Sequence, residues 1–307
     1  MIPLRIIAGT LAALGFCLGV TFGRMPATSA GTKPLEVFQG GIVELNMSGA
    51  GLSAVEGRFG KETIRFHRSD GGIFWALLGI DLEAKPGLAK VSVKETSAGG
   101  GIRETQIALK INPRKFHQES FSVPPAFDQL SPEVLERIRT EQEQLARVFA
   151  TSAAQPLWQS PFMMPVQGDI SSPFGYRRII NGSPRAPHAG VDLRAPMGTE
   201  VLAANRGHVV LLGDFFFSGN SLVLDHGGGL YTMYFHLSEF KVEQAAEVQK
   251  GDVIALSGMT GRVTGPHLHW GAWLSGARVD PFELIKKLSG SSGNSSHSAA
   301  AAEKTEK

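Results

Sequence analysis

The 307-residue sequence has one cysteine and almost no net charge, and each shortage excludes a class of function. Cys17 lies in an apolar run near the start of the chain, directly after the bulky Phe16, which argues against lipidation. Without that run the chain has no thiol, which excludes disulfides and a cysteine nucleophile. The formal net charge is +2 and no basic stripe alternates with aromatic residues, so we expect no nucleic-acid partner. HExxH and GxSxG motifs are also absent, which excludes the hydrolases built on them.

The first 30 residues have the composition of an export signal. Arg5 provides positive charge, Ile6 to Phe22 is apolar, and small residues from Ala27 to Ala30 offer a cleavage site. This pattern predicts a secretory signal peptide over residues 1–30. Because the apolar run approaches the lower limit for a membrane span, an uncleaved membrane anchor is the alternative. Both interpretations place the remaining chain in the periplasm or cell envelope.

Residues 31–115 predict a small β-sandwich. Apolar residues alternate with polar ones in short bursts, for example at Val43, Leu45 and Met47, and Gly-rich or polar turns such as SDGG and SAGGG separate the bursts. Short alternating strands at this spacing are typical of a sandwich. The region has no cluster of His, Asp and Glu, so we expect an accessory domain.

A helical linker is predicted over residues 116–165. Ser131 suits the N-cap, Pro132 suits the first helical position, and Glu133 favours a helix N-terminus. Apolar residues then recur at near-helical spacing up to about Ala150. One helix of this length is expected to connect domains and to pack on one of them.

A second β-rich region is predicted over residues 166–288, which makes the fold class mainly β. The tail over residues 289–307 has low complexity, and we expect it to be disordered. The candidate strands of the second region are 200–203, 208–212, 221–225, 230–235, 252–256 and 267–273.

Six of the nine histidines fall between positions 188 and 269, together with a well-placed aspartate. His188 and Asp192 are four residues apart in PHAGVDLRAP, and His267 and His269 are two apart in GPHLHWGAW. On extended backbone such spacings put both side chains on one face. His188, Asp192 and one histidine of the HLH pair would form a three-ligand set, which in zinc proteins marks a catalytic site with an open fourth position. Zinc lowers the pKa of water in that position to about 7.

The positions of the other histidines in this region indicate different roles. His236 follows a candidate strand and starts a turn, from which its ring can lean over a metal. His208 opens a strand and His226 lies in the turn LDHGGGL. We interpret these last two as structural histidines that bond to the backbone, because a lone histidine is seldom a ligand.

Taken together, HAGVDLRAP, YFHLS and TGPHLHWGAW resemble the three motifs of the lysostaphin/LytM-type zinc metallopeptidases, which are peptidoglycan endopeptidases. The combination is specific, whereas each motif alone is weak. The resemblance covers residues 168–281, and the preceding β-region resembles the Ig-like N-terminal domain of some bacterial members. It implies an Ig-like β-sandwich, a connector helix and an antiparallel β-sheet peptidase domain with a substrate groove.

The resemblance also implies roles for individual residues. It implies one Zn²⁺ per catalytic domain, bound by His188, Asp192 and His269. It implies that His236 and His267 act on the water and the tetrahedral intermediate as base, acid or oxyanion stabiliser. A histidine near its ordinary pKa can take a proton from water and return it to the leaving amine. For His267 the alternative is that it only orients the ligand shell.

One departure from the family pattern concerns the oxyanion. Some members place a tyrosine shortly before the first zinc histidine, but here the stretch NGSPRAP contains none. Tyr176 and Arg185 are the nearest substitutes in sequence, and neither can be placed against the metal from sequence alone.

The function predicted on these grounds is a zinc-dependent endopeptidase that hydrolyses peptide cross-links of bacterial peptidoglycan. The alternative is a non-hydrolytic cell-wall-binding regulator or activator of other cell-wall hydrolases, as in relatives of the fold that have lost their ligands. The presence of all three ligand positions and both catalytic histidines favours the enzyme. A lipoyl- or biotinyl-type carrier is a third possibility, because VQKGDVIALSG has the Lys-Gly-Asp turn that such domains also show. It fits less well, because the sequence has no MKM- or DKA-like hairpin to present a modifiable lysine.

Overall fold

The prediction of a mainly β fold is confirmed by 21 strands and two helices in the part of the chain that is described. The predicted signal segment or anchor lies outside that part, as does the predicted tail beyond Ser289. Within it, no helix combines the length and the apolar character needed to cross a membrane. A computed structural model of the chain describes residues 33–49, 51–122, 130–158 and 161–289.

Eight strands near the N-terminus form two sheets. They are β1 (Leu35–Phe38), β2 (Ile42–Met47), β3 (Leu52–Phe59), β4 (Glu62–Arg65), β5 (His67–Arg68), β6 (Phe74–Gly79), β7 (Gly87–Ser97) and β8 (Ile102–Asn112). One sheet has the order β1-β8-β7-β3-β4 and the other has the order β2-β6-β5. Both sheets bury residues such as Leu45, Ile64 and Val91 in one core, which gives the layering of the predicted β-sandwich. Its assignment as Ig-like stays a prediction.

The strands that follow the sandwich form a ten-stranded sheet and a three-stranded sheet. The elements are β9 (Gln118–Phe121), α1 (Pro132–Ala150), β10 (Ile170–Ser172), β11 (Arg177–Ile180), β12 (Ser183–Pro184), β13 (Gly190–Leu193), β14 (Glu200–Leu202), β15 (Gly207–Phe215), β16 (Gly219–Asp225), β17 (Leu230–Phe240), β18 (Glu247–Val248), β19 (Val253–Ser257), β20 (Leu268–Leu274), β21 (Ala277–Val279) and α2 (Pro281–Ser289). The central order of the large sheet is β10-β13-β20-β17-β16-β15-β18, with antiparallel neighbours.

The predicted linker contains both the expected helix and an unexpected strand. α1 begins at Pro132, and the Ser131 side chain accepts a hydrogen bond from the Val134 amide, as the N-cap prediction requires. β9 was not predicted, and it pairs in parallel with β11. All four β9 side chains are exposed, so the segment carries no apolar alternation, and backbone pairing alone makes it a strand.

The two faces of the ten-stranded sheet differ in what packs against them. Along β20, Leu268 and Trp270 are fully buried in the main core. His269 and Trp273 alternate with them and therefore point to the opposite face. α1 covers part of that opposite face, where the Phe149 ring stacks on Trp273 with centroids 4.6 Å apart. The connector helix and the histidines thus share one face of the sheet.

Ion pairs join the sandwich to the large sheet. The Arg278 guanidinium bonds to the Asp81 carboxylate at 2.7 and 2.9 Å and to Glu83 at 2.9 Å. Arg114, which follows the last sandwich strand, bonds to Asp280 at 2.7 Å. Each pair is partly shielded from solvent and fixes the sandwich against the end of β21 and the start of α2.

His226 is a fully buried structural histidine, in line with its interpretation from the sequence. Its Nδ1 lies 2.7 Å from the Arg206 carbonyl and its Nε2 lies 2.7 Å from the Thr232 hydroxyl. The Thr232 hydroxyl is in turn 2.9 Å from that of Tyr234. Since a carbonyl only accepts, Nδ1 carries the proton and Nε2 accepts, which is the neutral tautomer. Burial lowers the pKa of His226 to about 4.

The buried His226 predicts a specific pH dependence of stability. The unfolded chain takes up a proton near pH 6.5, whereas the native chain does so only near pH 4, so the free energy of unfolding falls as pH falls through this window. From about pH 7.5 to about pH 5 this one group should cost about 2 kcal/mol. Urea unfolding of the metal-free protein at both pH values should show a smaller fall in His226→Gln than in wild type. His208→Gln is the control, and an equal fall in all three proteins would contradict the assignment.

Candidate active site

The pairing of β13 with β20 brings the predicted ligands together. Its antiparallel register sets Asp192 opposite His269. His188, two residues before β13, places its Nε2 2.9 Å from Asp192 Oδ1 and 2.9 Å from His269 Nδ1. His269 Nδ1 is also 2.9 Å from Asp192 Oδ1. Two imidazole nitrogens and one carboxylate oxygen therefore meet at one point.

The electrostatics of this cluster suit a divalent metal. Burial alone would raise the pKa of Asp192, but the imidazole nitrogens of His188 and His269, each 2.9 Å from Oδ1, hold it well below its usual range. Burial lowers the pKa of His269, which keeps its imidazole neutral near neutral pH. His188 Nδ1 lies 3.0 Å from the Pro173 carbonyl, so Nδ1 carries the proton and Nε2 is free to coordinate. An ionised carboxylate and two neutral imidazoles are the forms that zinc requires.

The His269 ring is held on both sides. Phe235, opposite it on β17, stacks on the ring with centroids 5.2 Å apart and planes 5° from parallel. On the other side, a Cβ added to Gly190 would lie 2.6 Å from His269 Nε2 and 2.5 Å from the Trp270 carbonyl oxygen. Position 190 in HAGVD therefore requires glycine, because the His269 ring lies too close for a Cβ.

His236 lies beside the cluster in an unusual backbone conformation. Its φ is +64°, a left-handed value that is uncommon for a residue other than glycine. Its amide donates to the Ser218 carbonyl at 2.9 Å, and its Nδ1 lies 3.0 Å from the Thr260 carbonyl. Because Nδ1 must donate to that carbonyl, Nε2 keeps its lone pair. Burial, together with the nearby His269, lowers the pKa of His236 to about 4, so the ring is neutral near neutral pH.

His267 completes the group from the other side. Its ring centroid is 4.8 Å from that of His236, and its Nε2 is 3.7 Å from Asp192 Oδ1. Its Nδ1 lies 2.9 Å from the Gly265 carbonyl, which fixes the ring orientation. The structure thus gathers all five candidate residues on one face of the sheet.

Several supporting residues were not found from the sequence. Thr260 and Pro173 act through backbone carbonyls, which any residue type possesses, and no sequence signal marks them. Phe235 shares the motif YFHLS with His236, but its contact with His269 depends on the pairing of β17 with β20, which sequence spacing does not give. Tyr176, the nearest tyrosine, bonds through its hydroxyl to Glu119 of β9, so its hydroxyl is engaged by the added strand.

Gly190→Ala should weaken metal binding at the cluster, with Zn²⁺ as the probe, because the new Cβ would displace the His269 ring or the Trp270 carbonyl. We expect the dissociation constant to rise by roughly 10- to 100-fold, the range seen when a ligand's support is disturbed. Competition with a chromophoric chelator measures this directly. Gly265→Ala is the matched control, since nothing lies within 4 Å of its added Cβ. Equal zinc affinity in the two variants would show that the close contact is unimportant.

Comparison with known proteins places this site within a family. Residues 186–281 match peptidase family M23. The chain is 43% identical over 112 residues to the peptidoglycan DD-endopeptidase ShyA of Vibrio cholerae, a match covering 36% of this chain and 26% of that protein. It is 43% identical over 115 residues to the DD-carboxypeptidase/endopeptidase Mpg of Neisseria meningitidis, covering 38% and 26%. The matched part is thus about a quarter of the length of these curated relatives.

A solved structure extends the similarity beyond the matched motifs. A crystal structure of a peptidase M23 protein from Pseudomonas aeruginosa is 31% identical to this chain, with a TM-score of 0.64. The match covers 83% of this chain and 96% of that one. Sequence and fold agree over nearly the whole of that solved protein, and the chain therefore belongs to peptidase family M23.

Proposed function

We propose that this protein is a zinc-dependent endopeptidase that hydrolyses peptide cross-links of bacterial peptidoglycan. The observation that carries the proposal is the meeting of His188, Asp192 and His269 at one point, with the rings of His236 and His267 beside it. Relatives named as peptidoglycan DD-endopeptidases support the substrate class.

The three clustered residues would hold one Zn²⁺ through His188 Nε2, an Asp192 carboxylate oxygen and His269 Nδ1. Two nitrogens and one oxygen form the ligand set of a catalytic zinc, in which the fourth position stays open. When bound, zinc supplies a Lewis acid that polarises a carbonyl and lowers the pKa of a water molecule to about 7. The side chains of the three proposed ligands are between 11% and 15% exposed, so the cluster is largely shielded but still open to solvent.

His236 is proposed as the general base. Its Nδ1–H is donated to the Thr260 carbonyl, and its neutral Nε2 can take a proton from the attacking water. The water oxygen forms a bond to the scissile carbonyl carbon as that proton leaves. When the carbon–nitrogen bond breaks, the same proton can pass to the leaving amine, so that water is divided between the two products.

His267 is proposed to stabilise the tetrahedral intermediate and the leaving group. The Gly265 carbonyl holds its Nδ1–H, which turns Nε2 toward the cluster at 3.7 Å from Asp192. In its protonated form, Nε2–H would donate to the developing oxyanion or to the departing nitrogen. Its side chain is 18% exposed, which leaves room for a substrate against it.

Two exposed apolar residues mark where the peptide would lie. Phe217 precedes Ser218, whose carbonyl binds the His236 amide, and it is 45% exposed. Met259 precedes Thr260, whose carbonyl holds the His236 ring, and it is 44% exposed. We propose that both contact the substrate beside the scissile bond.

We also propose the cell envelope as the place of action, reached through the N-terminal signal peptide or held by that segment as an anchor. Residues 166–288 are proposed as the catalytic domain and residues 31–115 as the accessory sandwich. The alternative of a non-hydrolytic regulator is not favoured, because it predicts missing ligand positions, whereas here all three proposed ligand residues and both proposed catalytic histidines lie together.

Substitution of a proposed ligand histidine and of a proposed catalytic histidine should have different effects on metal binding and on turnover. His188→Ala should lose bound zinc and activity together, because a ligand is removed. His267→Ala should keep its zinc and lose turnover by roughly 10²- to 10⁴-fold, the usual contribution of a general acid or base. Zinc is measured by elemental mass spectrometry and turnover on a purified cross-linked muropeptide dimer. His208→Ala, which lies on β15 outside the cluster, should behave as wild type.

Three outcomes would count against these roles. Full activity in His188→Ala would remove the zinc site from the mechanism. Activity of His267→Ala that returns to the wild-type value at saturating zinc would show that His267 only orients the ligands. A zinc-loaded wild type that leaves the dimer intact would favour the regulator.

A further inference from the structure

We propose that Glu141, on the connector helix α1, is a positioning residue for His236 and acts through the β15–β16 turn (residues 216–218). The inference rests on the proposed function and adds to it a residue outside the segment that matches the peptidase family, residues 186–281. α1 lies on the same face of the sheet as the histidines, so the connection is short.

The first step of the connection joins α1 to the turn. Both oxygens of the Glu141 carboxylate accept from the Phe216 amide, at 2.9 and 3.1 Å. Arg137, one helical turn earlier, donates to the same carboxylate at 2.7 Å and also to Asp214 at 3.2 Å. The Glu141 side chain is only 14% exposed. A shielded carboxylate that accepts a backbone amide makes one of the stronger hydrogen bonds in proteins.

The second step joins the turn to His236. The Ser218 carbonyl, two residues after Phe216, accepts the His236 amide at 2.9 Å. The His236 ring is held by the Thr260 carbonyl at 3.0 Å. Thr260 is itself tied to the start of β16, directly after the turn, because its hydroxyl accepts the Asn220 amide at 2.9 Å. The backbone and the ring of His236 therefore both depend on the position of the turn.

The two backbone segments that hold His236, one at Ser218 and Gly219 and the other at Thr260 and Gly261, are in close contact. A Cβ added to Gly219 would lie 2.4 Å from the Thr260 carbonyl carbon, and one added to Gly261 would lie 2.4 Å from the Gly219 amide nitrogen. Backbone therefore rests directly on backbone at this contact. Because such packing transmits displacement, a shift of the turn also shifts Thr260.

His236 is sensitive to such a shift because of its own backbone. A left-handed residue other than glycine persists only where its surroundings hold it. If the turn moves, the His236 backbone can relax and carry the ring away from His267, whose centroid is now 4.8 Å distant. The Glu141 side chain bonds to the turn, so its loss should lower kcat and leave KM near the wild-type value.

The helix offers a matched comparison. Glu143, two residues along α1, is 51% exposed and pairs with Arg139, which also binds Glu136. These residues form an ion-pair group on the exposed side of the helix. Glu143→Ala changes helix charge as Glu141→Ala does, without touching the turn.

Kinetics of the zinc-loaded full chain on a cross-linked muropeptide dimer test the proposal. Glu141→Ala should lower kcat by roughly tenfold, as expected for the loss of one charged hydrogen bond, while KM and zinc content stay near wild type. Glu141→Gln keeps one oxygen acceptor for the Phe216 amide and should recover part of kcat. Glu143→Ala should match wild type. A kcat for Glu141→Ala equal to that of Glu143→Ala, or a change in KM alone, would overturn the proposal.

Hydrogen exchange at the His236 amide gives a readout that needs no activity. Glu141→Ala should speed this exchange by roughly tenfold, and Glu143→Ala should leave it unchanged. If wild type cleaves nothing but the exchange rates differ as stated, the proposed function fails and the positioning role stands. If wild type cleaves the dimer but the two variants share one exchange rate and one kcat, the positioning role fails alone.

Discussion

The register between β13 and β20 sets Asp192 opposite His269, and the rest of the site depends on this pairing. A slip of one residue would send every side chain of one strand to the other face and would leave the carboxylate without its histidine. With this register, His188, two residues before β13, completes the cluster. Its Nε2 lies 2.9 Å from both Asp192 Oδ1 and His269 Nδ1. The same register buries Leu268 and Trp270 in the core on the opposite face of the sheet. Core packing and the candidate metal site therefore require the same register.

Burial lowers the pKa values of His236 and His269, and backbone carbonyls orient three of the clustered histidine rings. Pro173 and Gly265 each hold the Nδ1 proton of one histidine, of His188 and of His267 respectively, and so direct the opposite nitrogen inward. Thr260 does the same for His236, whose left-handed backbone is held in turn by the Ser218 carbonyl. In the proposed mechanism five side chains carry the chemistry, and backbone carbonyls of the surrounding loops orient three of their rings. The helix α1 and the strand β9, both ahead of the family motifs, reach those loops through Phe216 and Arg177.

The five residues that lie together could be picked out from the sequence because their signal is local, while their roles stay predictions. The spacings in HAGVD and HLH put side chains on one face of extended backbone, and Ser131 with Pro132 marked the start of α1. Glu141 and β9 were not predictable, because their contacts join positions 57 to 75 residues apart and depend on which strands become neighbours. A hydrogen bond to a backbone carbonyl, such as that of Thr260, does not require a particular residue type, so the sequence gives no sign of it.

The central claim is that the gathered cluster hydrolyses peptide cross-links. Its most direct test is mass spectrometry of purified peptidoglycan sacculi after incubation with the zinc-loaded protein. We expect cross-linked muropeptide dimers to disappear and uncross-linked monomers to accumulate, with the glycan strands intact and with no change when a zinc chelator is present from the start. Dimers that persist at full zinc occupancy would contradict the proposed activity.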